Sequence, residues 1–207
     1  MSKLLYIPAS PFGDASQSGA VAQVFLDNYR ETHPDVEIDI MDIWGEPLPP
    51  YARRGASAKM TVFSGGTPEG EEADAWAKVQ AVFDRFNAAD HYLFAVPMWN
   101  ASIPYALKHL IDIITQPGLT FGFDPATGYS PLLTGKKAAV VYTAGVQPQD
   151  SPAFGNDFQI PYFTDWLKSI GIDDITNIEF RPTILTADPD GNRAIANKIA
   201  RETARIF

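Results

Sequence analysis

The sequence contains no cysteine among its 207 residues. This absence excludes disulfide bonds, thiolate nucleophiles and zinc or iron–sulfur centres that depend on cysteine ligands. Basic residues are also few, because 16 Lys and Arg stand against 25 Asp and Glu, giving a formal net charge of −9 at pH 7. Nucleic acids and anionic membrane surfaces are bound through clustered positive charge, so the composition argues against both as partners.

Long apolar segments are missing as well. The N-terminal stretch MSKLLYIPAS is too short for a signal peptide and is interrupted early by Pro8. No apolar run reaches the ~20 residues that a membrane-spanning helix needs. We therefore expect a cytoplasmic protein. With 45% hydrophobic residues, the chain has enough apolar material for the core of one domain over residues 1–207.

What is present is an alternation of short apolar segments with amphipathic ones. Short apolar or alternating runs predict five strands, at residues 4–8, 36–40, 91–99, 136–145 and 175–180. Apolar residues at helical spacing predict five helices, at residues 16–32, 71–90, 104–114, 158–170 and 188–206. Alternating helices and mostly apolar strands are typical of a doubly wound α/β fold, with a five-stranded parallel sheet covered by helices on both faces.

One segment does not fit this alternation. Residues 42–70 are rich in proline and glycine, and they are predicted to form a loop. A loop of this length is unusual as a simple connection in a compact domain. We therefore expect the segment to take part in function or in contacts between subunits.

The ends of three predicted strands are candidates for a ligand site. Ligands of open parallel sheets bind beyond the carboxyl ends of the strands, where the strand order switches. The three stretches are PASPFGDASQS after the first strand, VPMWNAS after the third and YTAGVQ after the fourth. Each leaves its strand through small residues, polar residues or glycine, so a ligand can approach the backbone.

The first of these loops has the donors of a phosphate site without any Lys or Arg. Ser10, Ser16 and Ser18 supply hydroxyl groups, and the start of a helix supplies free amides and the positive end of its dipole. Such donors suit a phosphate monoester, and the loop has neither the GxxxxGK nor the GxGxxG pattern of nucleotide-binding loops. Serine is also a frequent helix cap, which on this loop alone is the commoner explanation.

The other two loops suit a flat heteroaromatic ring. Met98 and Trp99 offer polarizable or planar apolar surface, and Asn100 can both donate and accept hydrogen bonds. Gly145 lets backbone amides come close to the edge of a ring. Taken singly, Met98 and Trp99 are also ordinary core residues. Three suitable strand ends on one sheet together predict a heteroaromatic ligand that carries a phosphate tail.

These motifs resemble those of the FMN-dependent NADH azoreductase and NAD(P)H quinone reductase family, which has the flavodoxin-like fold. The resemblance covers nearly the whole chain and rests on four stretches: MSKLLYIPAS with SQS opening the first helix, VPMWNASIPYALKHLIDIITQPGLTF, LLTGKKAAVVYTAG and PYFTDWLKSIGI. Two positions depart from the family. TAGV stands where members often have Ser-Arg-Gly-Gly, and Trp99 stands where they commonly have Tyr; both departures bear on flavin potential and substrate choice.

The resemblance implies an FMN site built from all three loops. The resemblance implies that the phosphate is held by Ser10, Ser16, Gln17 and Ser18. It implies that the isoalloxazine ring is lined by Pro97, Met98, Trp99, Asn100 and Ala101. The pyrimidine end of the ring is expected to contact Thr143, Ala144, Gly145 and Val146. No side chain is expected to act as a catalytic acid or base, and no metal site is expected. Backbone amides at Gly145 and Val146 are expected to stabilise negative charge on the reduced flavin.

The same resemblance implies a ping-pong reaction. NADH or NADPH passes a hydride to flavin N5 and leaves, and a quinone or azo compound then takes its place and accepts two electrons. Phe121, Phe123 and Tyr129 are expected to sandwich this flat substrate, although the core of a hairpin explains them equally well. The family is homodimeric, so residues 42–70 and the stretch TFGFDPATGYSP are expected to complete the site of the second subunit.

Two other functions compete with this interpretation. A non-catalytic electron carrier of the flavodoxin type would hold FMN on the same sheet and would also have an acidic surface. A receiver-type signalling domain would need clustered acidic residues after the first strand and a phosphoacceptor aspartate after the third. The stretches PAS and PMWN supply neither, which argues against the receiver.

Overall fold

The computed structural model describes residues 2–147 and 152–207. The strands in these ranges are β1 (Lys3–Pro8), β2 (Glu37–Ile40), β3 (His91–Pro97), β4 (Phe121–Asp124), β5 (Gly128–Pro131), β6 (Lys137–Thr143) and β7 (Asp174–Phe180). Five of them form one parallel sheet in the order β2-β1-β3-β6-β7. This order confirms the predicted flavodoxin-like sheet, and it places the switch in strand order between β1 and β3.

Helices cover both faces of the sheet. In the described ranges they are α1 (Gln17–Thr32), α2 (Arg53–Phe63), α3 (Glu71–Asn87), α4 (Tyr105–Ile114), α5 (Ile160–Ile170) and α6 (Pro189–Ile206). Side chains alternate along β1, so Leu4 and Tyr6 pack with α1 and α6, whereas Leu5 and Ile7 pack with α3, α4 and α5. None of these helices is long and apolar enough to cross a membrane.

The prediction of a continuous loop over residues 42–70 is wrong, because α2 occupies its middle. No apolar periodicity marks this helix in the sequence, because its only buried residues are Gly55 and Ala58. A polar contact to α3 helps to hold it, since the Ser57 hydroxyl donates to a Glu72 carboxylate oxygen at 2.6 Å. The described ranges therefore contain six α-helices rather than the five predicted.

Candidate functional site

A cavity of about 310 Å³ opens where β1, β3 and β6 end. It lies beyond the carboxyl ends of neighbouring parallel strands, at the switch point where ligands of such sheets bind. Ten of the residues predicted for the site line it together: Ser10, Ser16, Gln17 and Ser18 after β1, Pro97, Met98 and Trp99 after β3, and Thr143, Ala144 and Gly145 at the end of β6. The fold thus brings three distant loops to one place.

The remaining three predicted residues do not line this cavity. Asn100 is exposed, whereas Ala101 and Val146 are half-buried. Each directly adjoins the stretch that does line the cavity: Asn100 and Ala101 follow Trp99, and Val146 follows Gly145. They therefore belong to the same loops but form their outer part.

The first loop supplies hydrogen-bond donors at the start of α1. Ser16 is the N-cap of this helix, because its Oγ accepts a hydrogen bond from the Gly19 amide at 3.0 Å. The Ser18 hydroxyl lies 3.2 Å from the Ser16 hydroxyl, and both side chains are buried. The amides of Gln17 and Ser18 open the helix and so have no acceptor within it. Ser16 is thus a helix cap, as the sequence suggests, while the Ser18 hydroxyl and the two amides also lie at the cavity.

The second loop, after β3, contains a strained turn. Trp99 and Ser102 exchange backbone hydrogen bonds of 2.8 and 2.9 Å. Between them Asn100 and Ala101 have φ angles of +47° and +66°. Two central residues with positive φ make a type I′ turn, which asparagine tolerates and which alanine adopts only at a cost in free energy. Such strain is concentrated at ligand sites, where the surrounding structure holds it in place.

Trp99 is fixed by an aromatic cluster. Its ring centroid lies 5.7 Å from that of Trp44 and 6.3 Å from that of Tyr105. The rings of Trp44 and Tyr105 meet edge to face at 5.2 Å. Trp44 comes from the proline- and glycine-rich segment 42–70, so this segment supports the wall of the cavity within its own protomer.

The third loop, after β6, is tied to the loop that follows β7. The amides of Thr183 and Ile184 donate to the carbonyl oxygens of Ala144 and Gly145 at 2.8 and 3.1 Å. A Cβ at Gly145 would lie 3.3 Å from the Cδ1 of Ile184, so the two loops are in close contact at this point. Thr183 and Ile184 also line the cavity, although neither is among the predicted site residues. Their position follows from the general placement of ligand sites beyond the carboxyl ends of parallel strands, because β7 ends shortly before Thr183.

Phe12, which also lines the cavity, was missed as well. Its ring is 66% exposed at the start of the 3-10 turn that precedes α1. A lone phenylalanine in a small-residue loop gives no periodic signal in the sequence. The loop PASPFGDASQS contributes Ser10, Phe12 and residues 15–18 to the lining of the cavity.

A cation also reaches this site from a distant part of the chain. Arg193 in α6 donates a hydrogen bond from Nη2 to the side-chain oxygen of Gln17. The first loop itself contains no Lys or Arg, as the sequence shows, but α6 packs beside α1 and brings this guanidinium to it. The two residues are 176 positions apart, so no local pattern could have indicated the contact.

The predicted substrate residues lie away from this cavity within one protomer. Phe121, Phe123 and Tyr129 belong to the hairpin of β4 and β5, which stands outside the parallel sheet. Phe121 and Tyr129 line a second cavity of about 350 Å³, together with Lys59, whose pKa is lowered by burial. The Phe121 side chain is buried, which agrees with the hairpin-core alternative. A single protomer therefore does not place these rings over the first cavity.

The residues of the first cavity fit FMN. Hydroxyl and amide donors at the start of α1 suit a phosphate group, and no carboxylate in the described ranges lines the cavity to repel it. Met98, Trp99 and Ile184 offer apolar surface for a flat ring system. Its volume of about 310 Å³ lies within the usual range of roughly 300–1,000 Å³ for small-molecule sites. Among the residues described, no group of three or more His, Asp or Glu side chains is placed to hold a metal ion.

Comparison with known proteins agrees with the fold. The sequence matches the family of the flavodoxin-like fold over residues 2–204. It is 46% identical over 199 residues to the FMN-dependent NADH:quinone oxidoreductase of Ruegeria pomeroyi, covering 95% of this chain and 98% of that protein. It is 42% identical over 211 aligned positions to FMN-dependent NADH:quinone oxidoreductase 9 of Burkholderia lata, with both chains covered completely.

Solved structures of similar shape extend over the same length. An azoreductase from Bacillus anthracis superimposes with a TM-score of 0.91 at 24% identity, covering 100% of both chains. An FMN-dependent NADH-azoreductase from the same species, solved in complex with FMN, gives a TM-score of 0.87 at 25% identity and covers 99% of this chain and 98% of its own. The chain therefore belongs to the flavodoxin-like family that contains the FMN-dependent NADH:quinone oxidoreductases and the azoreductases.

Proposed function

We propose that this protein is an FMN-dependent oxidoreductase that transfers two electrons from NADH to quinones and azo compounds. The observation that carries the proposal is the single cavity that joins phosphate-type donors after β1 to apolar loops after β3 and β6. Its relatives with 46% and 42% identity are named as FMN-dependent NADH:quinone oxidoreductases, and they match this chain along almost its full length. The chain is proposed to work as one domain.

Bound FMN supplies the redox chemistry, in which a hydride is taken from NADH and two electrons pass to the acceptor. The chain binds and orients this cofactor. The Ser18 hydroxyl and the first amides of α1 hold the phosphate, while Met98 and Trp99 form the apolar wall beside the ring system. No side chain of the cavity is needed as a proton donor or acceptor in this scheme.

The amides of Gly145 and Val146 are proposed to stabilise negative charge at the edge of the ring system. Within the described structure neither amide donates a hydrogen bond to a protein acceptor. A backbone donor held in a fixed loop stabilises developing charge without having to reorganise. The contacts from Thr183 and Ile184 to the carbonyl oxygens of Ala144 and Gly145 hold the loop in this position.

Two features argue against the alternatives of an electron carrier and a receiver domain. Phe12 and Ile184 are 66% and 80% exposed, so the walls of the cavity leave it open to a second flat molecule. A carrier instead encloses its ring between aromatic side chains. The receiver is disfavoured because, in the described ranges, no carboxylate lines the cavity.

The oligomeric state is part of the same proposal. We propose a homodimer in which the hairpin of one protomer covers the flavin cavity of its partner. Phe123 and Tyr129 are 47% and 72% exposed, and Phe63 of α2 lies 5.4 Å from Phe123, centroid to centroid. Three exposed rings in one patch are typical of an interaction surface. We also propose a cytoplasmic location, where NADH is available.

A sedimentation experiment tests the dimer. The FMN-loaded protein is expected to sediment with twice the mass of one chain. Replacing Phe123 and Tyr129 by alanine is expected to raise the KM for the quinone, because the substrate then lacks its aromatic cover. The affinity for FMN is expected to change little. A monomer that turns over quinone normally would contradict the dimer while leaving the reaction itself in place.

Steady-state kinetics test the reaction. The full-length protein is mixed with FMN and NADH, and NADH consumption is followed with and without a soluble benzoquinone or an azo dye. Consumption that requires both FMN and the acceptor is the expected result. Flavin binding without acceptor-dependent NADH consumption would contradict the proposed activity and favour the electron carrier.

A further inference from the structure

Arg193 is held in one position next to the proposed phosphate site. Its guanidinium carbon lies 4.9 Å above the ring centroid of Phe180, which is 1% exposed at the end of β7. From there its Nη2 donates to the Oε1 of Gln17, which lines the cavity. The aromatic ring below the guanidinium and the hydrogen bond at its tip restrict the Arg193 side chain. Little conformational entropy is therefore lost when an anion binds beside it.

The charge of Arg193 is not neutralised within its own protomer. In residues 2–147 and 152–207 no carboxylate forms an ion pair with it. Arg181, in the same region of the fold, is by contrast paired with both Asp157 and Glu179. Since no carboxylate of the described chain lines the cavity either, Arg193 leaves an unpaired positive charge beside a site built from neutral donors.

The contact with Gln17 also fixes which end of its side-chain amide is available. The oxygen accepts from Arg193, so the NH₂ group is the part left to donate. A donor is what an anion beside α1 requires. Arg193 therefore contributes in two ways at once: it brings positive charge near the cavity, and it presents a glutamine N–H rather than a glutamine oxygen to a bound phosphate.

We infer that Arg193 is a positioning residue that strengthens binding of the phosphorylated flavin, FMN, relative to riboflavin. The inference rests on the proposed function and adds a residue to it. A phosphate monoester carries about −1.5 to −2 charges at pH 7. The chain as a whole carries a formal charge of −9, so Arg193 supplies positive charge at the phosphate end that the overall charge of the chain does not.

The test compares two ligands that differ only in the phosphate. FMN and riboflavin are titrated into the full-length protein after removal of its flavin, and binding is read from quenching of flavin fluorescence. Arg193→Gln is expected to weaken FMN binding by about five- to tenfold, less than the loss of a direct charge-assisted hydrogen bond, because Arg193 acts from beside the phosphate and through Gln17. Riboflavin binding is expected to stay the same. Raising the salt concentration is expected to shrink the difference for FMN, because salt screens an exposed charge.

Two further variants make the test specific. Arg201→Gln removes the same charge from an exposed position further along α6, and it is expected to leave both affinities unchanged. Arg193→Lys keeps the charge but loses the planar fork that holds Gln17, and it is expected to lie between the wild type and Arg193→Gln. Circular dichroism of each variant checks that the fold is retained.

The outcomes separate this inference from the proposed function. An Arg193→Gln variant that binds FMN as tightly as the wild type, or that loses FMN and riboflavin to the same extent, overturns the inference alone. A wild-type protein that binds neither flavin overturns the proposed function, and the inference with it. Selective loss of FMN in Arg193→Gln, absent in Arg201→Gln, supports both.

Discussion

Asp157 and Arg181 form an ion pair whose side chains are only 3% and 0% exposed. The Asp157 carboxylate also accepts the backbone amide of Gln159 at 2.7 Å, at the start of α5. The side-chain amide of Gln159 donates in turn to the carbonyl oxygen of Val96 at 2.9 Å, two residues before Met98. The pair therefore joins the end of β7, the start of α5 and the end of β3, and residues that follow β3 and β7 line the cavity.

Breaking this pair is expected to destabilise the fold. Asp157→Asn leaves the buried Arg181 without its main counter-charge, and this should lower the free energy of unfolding by about 3 kcal/mol. The measurement is urea unfolding followed by circular dichroism. Glu179→Gln removes the other partner of Arg181, but that side chain is 43% exposed, so a loss of only about 0–1 kcal/mol is expected. Equal losses of unfolding free energy in the two variants would contradict the claim that the buried Asp157–Arg181 pair stabilises the fold more than the exposed Glu179–Arg181 pair.

The strained turn after β3 predicts a stabilising substitution. Ala101 has a φ of +66°, a conformation that glycine adopts without strain. Ala101→Gly should therefore raise the free energy of unfolding, by about 1 kcal/mol. The matched control is Ala56→Gly on the exposed face of α2, where glycine should cost about 1 kcal/mol. Destabilisation of similar size at both positions would show that the turn carries no strain.

Ser16 and Ser18 are expected to respond differently to removal of their hydroxyl groups. Ser16→Ala deletes the N-cap of α1 and should lower the free energy of unfolding by about 1 kcal/mol, along with some FMN affinity. Ser18 caps nothing and bonds only to Ser16 among the described residues. Ser18→Ala should therefore weaken FMN binding severalfold with a smaller change in stability. The two quantities are measured by urea unfolding without flavin and by fluorescence titration with FMN. A Ser18→Ala protein with normal FMN affinity would remove Ser18 from the phosphate site.

The stability of the fold is expected to fall in mild acid through His91. Its Nδ1 lies 2.6 Å from the Tyr29 hydroxyl, and burial, assisted by the charge of Lys137, lowers its pKa below the ordinary 6.5. The unfolded chain then takes up a proton at a higher pH than the folded one. Unfolding free energy is therefore retained above about pH 6.5 and declines as the pH drops from there towards the lowered pKa of His91.

The measurement for His91 is the urea midpoint between about pH 8 and pH 5. His91→Gln has no group that titrates in this range, so its midpoint should depend less on pH than that of the wild type. The same pH dependence in both proteins would show that His91 does not cause the loss.

The sheet and the three strand-end loops were predictable from the sequence because burial on both faces leaves strands as continuous apolar runs. Phe94 and Val96 illustrate this in β3, where the five consecutive positions 92–96 are apolar and buried. Once the strands are known to be parallel, their carboxyl ends must share one edge of the sheet. The positions of Ser16, Met98 and Gly145 at one cavity follow from that geometry.

The parts that were missed depend on contacts without a local pattern. Helix α2 is held by small buried residues and by hydroxyl contacts to Glu72, so it lacks the apolar stripe that marks α3. The Arg193–Gln17 and Arg181–Asp157 contacts join residues 176 and 24 positions apart, and only the docking of whole elements creates them. The predicted substrate role of Phe123 and Tyr129 needs a second chain, because one protomer does not place their rings at the cavity.

The central claim, that this chain binds FMN and passes electrons from NADH to a quinone, is tested most directly by the visible spectrum of the FMN-loaded protein without air. NADH is added first, and a soluble quinone after it. We expect the flavin bands to bleach with NADH and to return with the quinone. Flavin that is bound tightly but is not bleached by NADH would contradict the claim and would identify an electron carrier instead.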